Sequence, residues 1–406
     1  MCSISVYADA GHITGLCAIV ICVDTLFVTQ MKYTPFLCCL LLCGTAAHAQ
    51  TEYAIFKDSS TVQPPVRGLS LQVDNFNYFR NNEYFGHVEW GYTLFGYQLQ
   101  PTLQYRLTDK LTLQGGAFLQ REFGREGYVV AAPYYNVTYR QKGYTVRVGN
   151  LHGAANHSYI EPIVTPEATL TDRVEQGLQI TADKRHLWAD AYIDWEKAIR
   201  WYDNYPEQFT SGISARLKPM PDKKLRVEVP LQLMVAHRGG QIDTCGIPIE
   251  SLLNTAIGVS FNYTTNSTLV PWLRTAHYYV YYKNLTYDRN VQPYISGDGY
   301  FASLTAHTKY NVDIDLRYWT GAMFIGPRGF PLYSSASQVH DTLNEDFRTL
   351  LFMNVIYNKQ FGSNLYLDAR AEPYYNFGEA KLEIAYAVYM RIRFDALLLK
   401  RTRLME

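Results

Sequence analysis

"AAPYYNVTYRQKGYTVRVGN", residues 131–150, decides how the rest of this chain is read. Tyr135, Val137 and Tyr139 hold one phase of a two-residue period; Asn136, Thr138 and Arg140 hold the other. After Lys142-Gly143 the alternation resumes, with Tyr144, Val146 and Val148 against Thr145, Arg147 and Gly149. Successive side chains on a strand point to opposite faces, so the stretch reads as a hairpin with one apolar face. In a soluble protein that face closes a core. In a membrane barrel it meets lipid, and the arginines turn inward.

The same pattern returns along the chain. Tyr97, Leu99, Leu103, Tyr105 and Leu107 oppose Gln98, Gln100, Thr102, Gln104 and Arg106. Leu225, Val227, Val229, Leu231, Leu233 and Val235 oppose Arg226, Glu228 and Gln232. Near the end, Leu382, Ile384, Tyr386, Val388, Met390, Ile392 and Phe394 oppose Lys381, Glu383, Arg391 and Arg393. An Arg or Lys at the bilayer midplane costs roughly 2–4 kcal/mol, so a one-residue slip in that last segment is strongly disfavoured. About sixteen such segments are counted from residue 69 to residue 394, fourteen being the nearest alternative; 69–80 loses its alternation after Val73. Short connections (Thr108-Asp109-Lys110, Lys142-Gly143, Tyr310-Asn311) alternate with long ones (152–175, 237–253, 284–299, 324–346). Short turns on one side and long loops on the other are expected of an all-β transmembrane antiparallel barrel with periplasmic turns and extracellular loops.

Composition agrees. The formal net charge is +0, so no field recruits nucleic acid. The 34 Tyr suit interfacial girdles, because a phenol joins an apolar body to a wet tip. From Met31 the chain reads "MKYTPFLCCLLLCGTAAHAQ", a charged start, a short apolar run and Ala47-His48-Ala49. That is a secretory signal cleaved after Ala49, with residues 1–30 an upstream mis-start or leader. Residues 50–67 are then a periplasmic lead-in, 68–394 the barrel and 395–406 a tail. Six of the 7 Cys precede Gln50, leaving Cys245 alone in the mature chain, so disulfides do not hold it together.

With this pattern the mature chain resembles the porin-like outer-membrane barrels of Bacteroidota. The stretch "GNLHGAANHSYIEPIVTPEATLTDRVEQGLQI", from Gly149, is similar to a segment in uncharacterised barrels of that group. Many such barrels end on an aromatic residue; Phe394 takes that place, but "DALLLKRTRLME" follows it. In the general porins that this plan resembles, the third long loop folds inward. The resemblance therefore implies a constriction at residues 152–175, with Glu161, Glu167, Asp172, Arg173 and Glu175 supplying its charges.

The polar phase sends Arg106, Arg140, Arg147, Asp190, Asp194, Arg216, Arg226 and Glu228 towards the lumen. Asp313, Asp315, Arg317, Asp368, Arg370, Arg391 and Arg393 share that phase. Facing walls of opposite charge orient polar solutes in a wet pore; the same charges also brace neighbouring strands. No metal-ligand spacing is found, because His186, His237, His277, His307 and His340 are dispersed. The acidic run "DTLNED", 341–346, reads as an exposed loop, and the five N-x-S/T sequons, at Asn136, Asn156, Asn262, Asn266 and Asn284, as chance. Asn156-His157-Ser158 with Glu161 invites comparison with outer-membrane lipases, whose His and Ser sit on the barrel's outer face. Adjacent residues of an extended chain point apart, however, so His157 does not serve Ser158.

These readings lead to a non-enzymatic channel without cofactor, passing small hydrophilic solutes through a mixed-charge lumen in the outer membrane of a Gram-negative bacterium. Outer-membrane lipid is its solvent, and a homo-oligomer or a surface lipoprotein is the expected protein partner. The alternatives are a non-conducting barrel whose loops bind a partner or glycan, and an outer-leaflet lipid hydrolase.

Overall fold

The alternating segments form sixteen strands, and in the computed structural model, which describes residues 55–56, 67–286, 291–340 and 343–400, these close into one antiparallel barrel. The first half comprises β1 (Gly68–Phe85), β2 (Trp90–Arg106), β3 (Leu111–Glu122), β4 (Val130–Gln141), β5 (Tyr144–Asn150), β6 (Gln176–Asp183), β7 (Leu187–Lys197) and β8 (Gln208–Leu217). The second comprises β9 (Leu225–Arg238), β10 (Glu250–Thr264), β11 (Trp272–Asn284), β12 (Ser296–His307), β13 (Val312–Ala322), β14 (Phe347–Phe361), β15 (Leu365–Asn376) and β16 (Lys381–Lys400). Each strand pairs with its neighbours in sequence, and β1 closes on β16 from Gly68 opposite Lys400 to Glu83 opposite Ile384. Closure leaves no unpaired edge, which is the condition for a sheet to stand in hydrocarbon. No helix among the described residues is long and apolar enough to cross a membrane.

The hairpin of residues 131–150 shows why the register holds. Lys142 (φ 48°) and Gly143 (φ 78°) both lie in the left-handed region, as a two-residue type I′ turn requires. Outside, Tyr135, Val137, Tyr144 and Val148 are 56%, 44%, 54% and 53% exposed, whereas Asn136, Thr138 and Arg147 are buried inside. A water-soluble chain does not leave such a band of large apolar side chains uncovered; lipid covers it.

Two boundaries differ from the sequence reading. β1 keeps its pairing beyond Val73 because Asn75 and Asn77, on the lipid phase, bond locally. Asn77 Nδ2 donates to Asn75 Oδ1 (2.7 Å), and Asn75 Nδ2 to the Gln98 carbonyl (3.2 Å). At the other end β16 runs past Phe394 to Lys400, since Asp395, Ala396, Leu397 and Leu399 continue the ladder against β1. The expected tail therefore begins inside a strand, and only residues 401–406 of it lie outside the described residues. The leader, the signal segment and all of the lead-in except Ile55, Phe56 and Arg67 likewise lie outside them.

The lumen is not an open tube. Two long connections enter it: 151–175, carrying the single turns α1 (Ala154–His157) and α2 (Ala168–Thr171), and 323–346. They meet in a parallel bridge between Val164 and Arg328, where Thr165 N donates to Arg328 O (2.8 Å) and Phe330 N to Glu161 O (2.9 Å). Ile163, Phe324, Leu332 and Tyr333 from these loops pack with Trp319 and Phe352 of the wall into a buried cluster. Gly299 makes room for the Trp319 ring: a Cβ there would lie 2.3 Å from Trp319 Cη2. Near the lead-in, Phe56 inserts between Phe76 and Tyr389 with centroid separations of 6.0 and 5.0 Å, and Arg391 Nη1 donates to Ile55 O (2.6 Å).

Candidate functional site

Inside the barrel much of the charged phase is taken up by pairing. Glu161 accepts from Arg317 (2.6 Å) and from the Tyr333 hydroxyl (2.8 Å), so the loop is tied to β13. Glu167 pairs with Arg80 (2.6 Å), which also holds Glu372. Arg173 reaches Asp74 (3.1 Å) and the Gln98 side chain (2.8 Å), and Asp74 in turn binds Arg391. Asp368 pairs with Arg370 (2.6 Å), and Asp313 lies against His307. Asp172 and Glu175 line a cavity of about 300 Å³ towards the long loops, with Asp194 and Glu196 of β7 and the loop residue Arg328. Arg106, Arg140, Arg216, Arg226, Glu228 and Arg393 also lie on the inner phase and are half-buried. The five loop charges thus do not converge on one point. Glu161, Glu167 and Arg173 anchor the insertion, and Asp172 and Glu175 face a vestibule.

His157 is 1% exposed and lies between two carboxylates: Nε2 is 2.8 Å from Glu175 Oε2 and Nδ1 is 3.1 Å from Asp190 Oδ2. Its ring stacks on Tyr192 at 3.7 Å. Burial disfavours the charged ring, but Glu175 and Asp190 outweigh it and hold the imidazolium up to about 10. Burial also pushes the Glu175 carboxyl above its usual range against the pull of His157. Both ring nitrogens are engaged, and Ser158 (φ 61°) turns its hydroxyl to the Asn156 carbonyl (3.4 Å). Asn156-His157-Ser158 is therefore a structural clamp and carries no nucleophile.

The sequence reading did not single out a second histidine–serine pair, which stands on the outer wall. His237 shares the outward phase of Leu231 and Leu233 at the long-loop end of β9, and the register sets it opposite Ser251 of β10. His237 Nδ1 and Ser251 Oγ are 2.7 Å apart, and Nε2 lies 3.2 Å from the Gly239 carbonyl. A carbonyl only accepts, so Nε2 carries the ring proton and Nδ1 is left as the acceptor for the serine hydroxyl. Gly239 (φ 133°) takes a left-handed turn in which a Cβ would sit 2.7 Å from Ile249 Cγ1. Phe209 stacks on the imidazole at 4.8 Å, and Trp195 stacks on Phe209 at 5.4 Å. The Ser251 backbone is fastened on its far side, its N–H donating to Thr286 Oγ1 (3.3 Å) and its carbonyl accepting from Leu285 N (2.8 Å). A hydroxyl activated by a neutral imidazole, fixed by a second acceptor, is what nucleophilic acyl transfer needs. The available signal was phase: His237 and Ser251 are polar residues at lipid-facing positions beside a long loop. Among the described residues no group of three or more His, Cys, Asp or Glu side chains is arranged to hold a metal ion.

A closed sixteen-strand barrel with a lipid-facing belt defines an outer-membrane β-barrel protein, and it carries a serine–histidine pair at its long-loop rim. The chain belongs to the lipid A 3'-O-deacylase-type family, whose model matches residues 60–401. That membership overturns the expectation of a protein without enzymatic function, which rested on the channel reading, the dispersed histidines and the opposed directions of His157 and Ser158. No curated protein sequence matches the chain. Among solved structures, the outer membrane protein OprD of Pseudomonas aeruginosa is similar at 9% identity and a TM-score of 0.48, covering 87% of this chain and 99% of that one. An anion-selective porin of Comamonas acidovorans is similar at 10% identity and a TM-score of 0.48, covering 80% and 98% respectively.

Proposed function

We propose that this protein is an outer-leaflet lipid acyl hydrolase in which Ser251 is the nucleophile and His237 the general base. The observation that carries the reading is the 2.7 Å contact between Ser251 Oγ and His237 Nδ1 on the lipid-facing wall. An acyl ester lying in the outer leaflet reaches this rim without entering the filled lumen. Ser251 Oγ attacks the ester carbonyl as His237 takes its proton, and the imidazolium then protonates the departing alkoxide. Water, deprotonated by the same ring, releases the fatty acid from the serine ester. The Gly239 carbonyl holds the ring's orientation throughout, as the third group of a triad does. The Trp195–Phe209–His237 stack gives the acyl chain an apolar flank.

The test is fatty-acid release from lipid A and from phospholipid in mixed micelles, followed by mass spectrometry on the refolded chain. Ser251→Ala and His237→Ala are expected each to lower the rate by at least about a hundredfold, while Ser158→Ala leaves it unchanged. Release that persists in Ser251→Ala would exclude this assignment. Preference between the two lipids identifies the substrate class.

A further inference from the structure

A second constellation, inside the barrel, takes no part in ester chemistry at the rim. Arg216 stands one residue before the end of β8 and Arg274 two residues after the start of β11, both at the short-turn side of the wall. With Arg317 they line a cavity of about 120 Å³ beneath the inserted loop, which also receives Tyr278 and Ser303. Arg317 is committed to Glu161 and Asp315. Arg216 and Arg274 form no ion pair among the described residues, and the Nε of each is buried without a hydrogen-bond partner. Arg216 is held by stacking, its guanidinium 4.1 Å from the Trp188 ring centroid. Glu228 of β9 acts on Arg216, and Asp315, already bound to Arg317, acts on Arg274 from a distance.

Two guanidinium groups whose Nε–H lack a partner, beside the Ser303 hydroxyl and a Tyr278 hydroxyl that bonds Arg274, offer donors of the kind a small oxyanion accepts. The cavity has room for phosphate or a short carboxylate. We propose that the cavity between Arg216, Arg274 and Ser303 is a binding site for a small oxyanion, phosphate or carboxylate.

The experiment is calorimetric titration of the full chain, refolded in detergent micelles, with inorganic phosphate and separately with acetate. Binding of either anion is expected in wild type, and the stronger of the two identifies the class. Binding is expected to weaken about tenfold or more in Arg216→Gln/Arg274→Gln and to be unchanged in Arg185→Gln, at an exposed turn where Arg185 pairs with Asp222. Circular dichroism and heat-shifted gel mobility report folding. If the double variant does not refold, Arg274→Lys keeps the charge, loses the fork and is expected to weaken binding in the same direction. Absence of heat with both anions up to tens of millimolar, or undiminished binding in the substituted chain, overturns the proposal.

Discussion

Two histidines of this chain meet opposite fates, and their neighbours decide which. His237 has one acceptor behind it and one hydroxyl in front, so its ring is free to exchange a proton with Ser251. His157 has a carboxylate on each nitrogen, so its ring is a buried cation. That cation has a pH signature. Its value, raised from 6.5 to about 10, means that the clamp's contribution to stability is fully present below 6.5 and is lost as pH rises through about 10. Hydrogen exchange of residues 154–175 is expected to speed up across that window in wild type, and to show no such step in His157→Gln. A step of equal size in the variant would assign the effect elsewhere. Neither role was legible from residue type: His157 sits in the sequence beside a serine it never serves, and Ser251 is fourteen residues from His237.

At the scale of the strand, the two-residue period carried nearly everything. Alternation is a local property, and lipid enforces it depth by depth. Leu231 is 52% exposed on the outer face well within β9, whereas Leu225 begins that strand at the short-turn end. Leu231→Arg is expected to cost about 2–4 kcal/mol and Leu225→Arg about 0–1 kcal/mol, measured by denaturant unfolding in lipid bilayers. Equal costs would mean that the wall is not immersed as its apolar band implies. The period faltered where side chains bonded along the surface. The asparagines of β1 blur the alternation of a strand that was still counted, and the run after Phe394 hides the end of β16 because apolar residues fill both phases. The candidate site was half legible for the same reason. The inward charges were read from phase, but His237 and Ser251 both fell within the connection read as 237–253, whereas the strands extend to include them.

For the whole molecule, the question is what fills a barrel of this girth. Sixteen strands enclose room for an aqueous channel, yet here two loops and Phe56 occupy it, the first loop pinned by Glu161–Arg317, Glu167–Arg80 and Arg173–Asp74. Breaking a buried pair by removing one partner costs about 3–5 kcal/mol, so several such pairs together oppose spontaneous opening. The full chain in a planar bilayer is accordingly expected to show no steady ohmic step. A stable step from the intact protein would return solute passage to the front. The insertion also divides the charge. An acidic vestibule lies on the long-loop side, and a cavity with two uncommitted arginines lies towards the short turns. A formal net charge of +0 conceals both.

By itself the sequence determined that the chain is an antiparallel barrel, which residues face lipid and where the long loops fall. Each of these follows from the period of side chains along a single strand and from the cost of charge in hydrocarbon. Only the tertiary structure decided that the loops enter the lumen, that His157 is clamped and that His237 meets Ser251. Contacts between residues on different strands depend on register and closure; the period fixes which face a residue takes, but across a long loop it does not fix which residue stands opposite it.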